Sequence, residues 1–181
     1  MHRRHFLALA GLGLPLLTGH TPYRQWKLYR QTHLLIFTSK EDAASDELGE
    51  RIAARLREAL PDSKARVARA PHAQRIASLI TTNQADVAVL SRADALALSQ
   101  RVPPFADYQP VALRVLAQTA QHQLVCRDDF KPMHAYLVAE ALAEQSVPGL
   151  VLPEAAGEGG EAVPAHAGTL AFLRGEQPDA Q

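Results

Sequence analysis

The chain has 181 residues, 47% of them hydrophobic, and its nineteen basic side chains balance nineteen acidic ones. That is enough for one domain of about 100–150 residues with flanking segments. Zero net charge leaves no electrostatic footprint for nucleic acid, and the single cysteine, Cys126, excludes an intramolecular disulfide.

Residues 1–23 read as an export signal rather than as part of the fold. Arg3 and Arg4 stand just before Phe6 and Leu7, and an apolar run follows over 6–17. The run is too short to span a bilayer, which needs about 20 residues. Arg-Arg-x-Phe-Leu resembles the twin-arginine export signal of bacteria. His2 replaces its usual Ser or Thr, and Ala8 its usual Lys. An ordinary secretory signal is the alternative. No Ala-x-Ala cleavage site follows, so a periplasmic form tethered to the inner membrane by an uncleaved signal is also expected. Residues 24–32, with Trp26 and Tyr29, form a spacer.

The folded lobe is expected over 33–147. The apolar run 34–37 suits a strand buried on both faces of a parallel sheet. Ser39 and Asp42 give a Ser-x-x-Asp helix start. Leu48, Ile52, Leu56 and Leu60 then form one apolar stripe at steps of four, and Pro61 ends the helix. A short strand over 65–69 is followed by Pro71, placed to open a second helix carrying Ile76, Leu79 and Ile80. Residues 85–90 make a third strand, and Ser91 with Asp94 repeats the helix-start signal. Strands alternating with helices at this spacing predict right-handed crossovers and a parallel sheet.

Beyond a loop at Pro103 and Pro104, residues 111–117 and 123–127 are strand candidates, and Pro132 opens a helix. Residues 148–164, rich in Gly, Glu, Ala and Pro, read as a flexible linker. A closing helix is expected over 165–174 and a disordered tail over 175–181.

No catalytic signature is present. Ser39 and Ser91 read as helix N-caps, and Cys126 as a small buried hydrophobe. The eight histidines form no His-x3–5-His pair within a folded element, and no phosphate-binding glycine motif occurs. Neither an enzyme, a metal nor another cofactor is expected. What remains is a ledge at the strand ends: Thr38, Ser39, Lys40, His72, Ser91, Arg92 and Asp94. Hydroxyls, N–H groups and Arg92 there suit an anion, at the edge where open α/β sheets place ligands. The alternative is a set of satisfied caps around an empty groove.

Four segments resemble the TAXI class of TRAP-transporter solute receptors, which are periplasmic solute-binding proteins. They are 34–60, 66–94, the late helix His-Ala-Tyr-Leu-Val-Ala-Glu-Ala-Leu at 134–142, and Val-Pro-Ala-His-Ala-Gly-Thr-Leu at 163–170, where Ala167 replaces the family's proline. The resemblance implies a single lobe of the type II binding-protein kind, a mostly parallel sheet with helices on both faces. It implies capture of a small organic acid or oxyanion for transport, with membrane transporter subunits as partners. The family's glycine-rich opening loop is replaced by Thr38, Ser39, Lys40, Glu41 and Asp42, whose carboxylates favour the helix N-terminus themselves. Cys126 runs almost directly into the late helix, so most of a second lobe, about 100 residues, is expected to be missing. These departures motivate a second reading: a non-enzymatic periplasmic accessory protein whose partner is an exported oxidoreductase.

Overall fold

The structure is a computed structural model that describes residues 33–144, 147–153 and 162–178. The export signal with Arg3, Arg4, Phe6 and Leu7, the spacer, and parts of the linker and tail lie outside the described residues. No helix among the described residues is long and apolar enough to cross a membrane.

The chain order is β1 (Leu35–Ser39), α1 (Ala43–Ala59), β2 (Arg66–Ala70), α2 (Ala73–Thr81), β3 (Val87–Ser91), α3 (Arg92–Gln100), β4 (Leu113–Gln118), β5 (His122–Arg127), α4 (Pro132–Glu144) and α5 (Ala167–Arg174). The five strands form one sheet in the order β2-β1-β3-β5-β4. β1 pairs in parallel with both β2 and β3. β5 runs antiparallel to β3 on one side and to β4 on the other. The protein is thus an α/β lobe with a mixed sheet, parallel at its centre. The antiparallel β5 is the one departure from the expected parallel order, and the short β4–β5 connection requires it.

Helices cover both faces. Leu48, Ile52 and Leu56 of α1 pack with Val138, Ala141 and Leu142 of α4 over Ile36, Val87, Val89, Leu124 and Cys126. On the opposite face, Ile76 and Ile80 of α2 and Leu98 of α3 lie with Phe105 over Ala88, Leu90, Leu113, Val115 and Val125. This explains the unbroken apolar run of β3: its alternate side chains enter two cores. α1 lies close against β1 because residue 49 is glycine. A Cβ there would meet the Thr38 methyl at 2.5 Å.

Three local expectations are corrected. The N-cap of α1 is Asp42, which accepts from the Ser45 N–H, and not Ser39. Asp42 wins because the helix begins at Ala43 rather than at Lys40. The cap of α2 is His72, whose Nδ1 accepts from the Arg75 N–H, so Pro71 precedes the helix instead of opening it. The strand sought over 111–117 begins at Leu113. Pro110 and the loop before it carry the chain in without ladder bonds.

The stretch read as a linker is tied to the lobe at Val151 and, through the Pro164 carbonyl, just before the closing segment. Val151 forms an antiparallel bridge to Gln118, and Ala165 a parallel one to Val115. Both lie along β4, so the flank beside 111–127 is covered by the chain itself. Arg174 closes α5, and Gly175 follows in the left-handed conformation that suits a helix C-terminus.

Candidate functional site

In an open α/β sheet, ligands bind beyond the C-terminal strand ends where the crossovers diverge. Here that point lies between β1 and β3, because α1 leaves β1 toward one face and α2 returns to β3 on the other. A cleft of about 230 Å3 opens there, lined by Ser39, Glu41, Asp42, Ser45, Ala73, Gln74, Val89, Leu90, Ser91 and Asp94. The starts of α1, α2 and α3 all meet it.

Of the seven ledge residues expected from sequence, Ser39, Ser91 and Asp94 line the cleft and Thr38, Lys40, His72 and Arg92 do not. Thr38 is fully buried, and its hydroxyl donates to Asp46 at 2.8 Å. Asp46 also takes the Arg69 guanidinium at 2.9 Å. Desolvation raises the Asp46 carboxyl, but the Arg69 and Thr38 hydrogen bonds and the Arg69 charge together hold it below its ordinary value. Thr38 thus belongs to a structural network behind the rim. The Lys40 N–H donates to the Ala70 carbonyl, and the Arg92 N–H to the Gln121 carbonyl, which ties α3 to the β4–β5 turn.

Several donors around the cleft are consumed by the protein's own caps, while Gln74 adds an amide to the lining. Ser91 and Asp94 bond reciprocally: the Asp94 N–H donates to Ser91 Oγ at 3.0 Å, and the Ser91 hydroxyl donates to Asp94 Oδ2 at 2.8 Å. The Ser39 N–H donates to Ser45 Oγ, and the Glu41 N–H to Ser39 Oγ. Asp42 uses both oxygens. Oδ1 caps α1 at 3.0 Å, and Oδ2 lies 2.7 Å from His122 Nε2. Acceptors, by contrast, are left over. Among the described residues the Glu41 carboxylate has no partner, and Asp94 commits only Oδ2. The lining therefore presents three carboxylates and no cationic side chain.

His122 is the site residue that the sequence did not point to. It is 8% exposed and pairs with Ser91 across the β3–β5 ladder. Nothing in its neighbourhood along the chain marks it, since its partner Asp42 is 80 residues away. Among the described residues, no group of three or more His, Cys, Asp or Glu is placed to hold a metal ion. Cys126 is fully buried, and desolvation, with the nearby Asp128 charge, pushes its thiol far above the ordinary range. The thiolate that nucleophilic chemistry needs is therefore strongly disfavoured.

Comparison of the chain with family models, with curated proteins and with solved structures gives no match in any of the three.

Proposed function

We propose that this chain is an exported binding lobe of the TAXI-receptor kind, and that it takes a small, polar, donor-rich solute at the cleft between β1 and β3. The observation that carries the reading is the chemistry of the lining. Glu41, Asp42 and Asp94 surround the cleft, while the N–H groups of Ser39, Glu41 and Asp94 are already bonded to the protein's own side chains. A carboxylate or oxyanion would find repulsion from three carboxylates and no cationic side chain. An amine, a guanidinium or a hydroxyl-rich solute would find acceptors. The organic acid implied by the family resemblance is thus the poorer fit, although the location at the strand ends is the same.

A second reading has its own support. The cleft, at about 230 Å3, falls below the usual 300–1,000 Å3 of small-molecule sites. It suits a single lysine or arginine side chain. On this reading the lobe is an accessory protein that captures a basic residue of a partner such as an exported oxidoreductase.

Thermal unfolding against a panel of diamines, guanidinium compounds, polyols and organic acids tests the first reading. A compound at ten times its Kd stabilises by about 1.4 kcal/mol, which raises Tm by several degrees for a domain of this size. The expected result is a shift with a cationic or polyol compound that is lost in Asp94→Asn. No shift with any compound at millimolar concentration overturns the solute reading.

A further inference from the structure

We propose that His166 is a pH-operated latch that fastens the C-terminal segment, residues 163–174, to the lobe. The segment first runs along the β4 edge. The Val115 N–H donates to the Pro164 carbonyl at 2.8 Å, and the His166 N–H to the Val115 carbonyl at 2.9 Å. It then turns into α5, which packs on α4.

The imidazole joins the two parts. His166 Nδ1 accepts from the Gly168 N–H at 3.0 Å and so caps α5. Nε2 lies 2.9 Å from the Phe130 carbonyl oxygen, just before α4. The hydrogen-bond network assigns one tautomer: a carbonyl needs a donor at Nε2, and an N–H needs a lone pair at Nδ1. Only neutral imidazole meets both demands. A second proton would set Nδ1–H against the Gly168 N–H, donor against donor. The ring is 3% exposed, so water cannot relieve the conflict in place. α5 is also packed closely on the start of α4, since a Cβ at Gly168 would clash with the Pro132 carbonyl. Protonation therefore requires the segment to lift.

The groups facing the ring act in opposite directions. Phe130 lies edge-on between His166 and His134, with ring centroids 6.1 and 5.8 Å away. Burial disfavours the charged form of His166. The Phe130 carbonyl and Asp128, beyond β5, favour it, and Arg114 on β4 opposes it; the net displacement is downward. His134, on α4, is displaced downward too, by burial and by Lys131.

The sign follows by linkage. A histidine whose folded pKa lies below its unfolded value leaves stability intact above the unfolded value, about 6.5. That stability is lost as pH falls below it, because the open state binds the extra proton. The open fraction of the segment therefore rises as pH falls below that value, by at most about 30-fold at pH 5. Lifting it uncovers Val163 and Ala171, both buried in the docked segment, and the β4 edge the segment runs along.

Hydrogen exchange on the full chain tests this. After correction for intrinsic rates, protection of the Leu170, Ala171 and Phe172 amides should fall between pH 7.5 and 5, by up to about 30-fold, while β1 and β3 amides hold. His166→Asn keeps an N-cap but does not titrate, so its α5 protection should be flat with pH. His134→Gln should retain the wild-type slope. A flat wild-type profile, an unchanged slope in His166→Asn, or a slope lost in His134→Gln overturns the latch. Should His166→Asn fail to fold, NMR titration of the His166 ring in the wild-type chain decides. Protonation that coincides with loss of α5 protection supports the proposal, and a ring that titrates while α5 stays docked contradicts it.

Discussion

Asp42 and His166 do the same local job in opposite settings. Each accepts a backbone N–H at a helix start and uses its second polar atom to reach a distant part of the chain. Asp42 stands at the open cleft with a side chain 35% exposed, so its charge adds to the acidic lining although both oxygens are bonded within the protein. His166 is sealed between α5 and the loop before α4, so its charge state decides whether the contact exists at all. A cap at a cleft is thus a recognition element, whereas a buried titrating cap is a fastening that pH can undo.

The contrast can be broken at its strongest point first. Gly168→Ala pushes a methyl into the Pro132 carbonyl and should cost about 1–3 kcal/mol, the range for overpacking. Urea unfolding should show it, with the loss concentrated in α5 exchange. Asp42→Ala removes the α1 cap and strands His122; a loss of about 1–2 kcal/mol is expected, and α5 exchange should not change. Ser91→Ala should cost about 1 kcal/mol, with Ser91→Asn recovering most of it, as read by chemical denaturation. The smallest effect concerns Cys126. A thiol reagent should label it only as fast as the lobe unfolds, so native labelling faster than global unfolding would contradict its burial.

Much of the fold was legible because it rests on local signals. The stripe of Leu48, Ile52 and Leu56, the apolar β3 run and the Ser91–Asp94 start each describe one element, and each element formed where expected. Errors arose where two local signals competed. Ser39 and Asp42 both suit an N-cap, and Pro71 suits a first turn that in fact starts two residues later, after His72; the choice depends on where tertiary packing starts the helix. The site was legible in location but not in character. The strand ends follow from topology, whereas Asp42–His122 and the lifting of Thr38 out of the rim depend on contacts between β1, α1 and β5 that no short window of sequence contains. The linker composition at 148–164 likewise gave no sign that Val151 and Pro164 would bond to β4.

The claim that the cleft binds donor-rich cations is tested most directly by NMR titration of the full chain with an arginine-rich or diamine probe. The account predicts perturbations confined to the amides of Ser39, Glu41, Asp42, Ser91 and Asp94, absent in Asp94→Asn and not reproduced by a dicarboxylate. Perturbations that fall elsewhere, or that a dicarboxylate produces equally well, would contradict it.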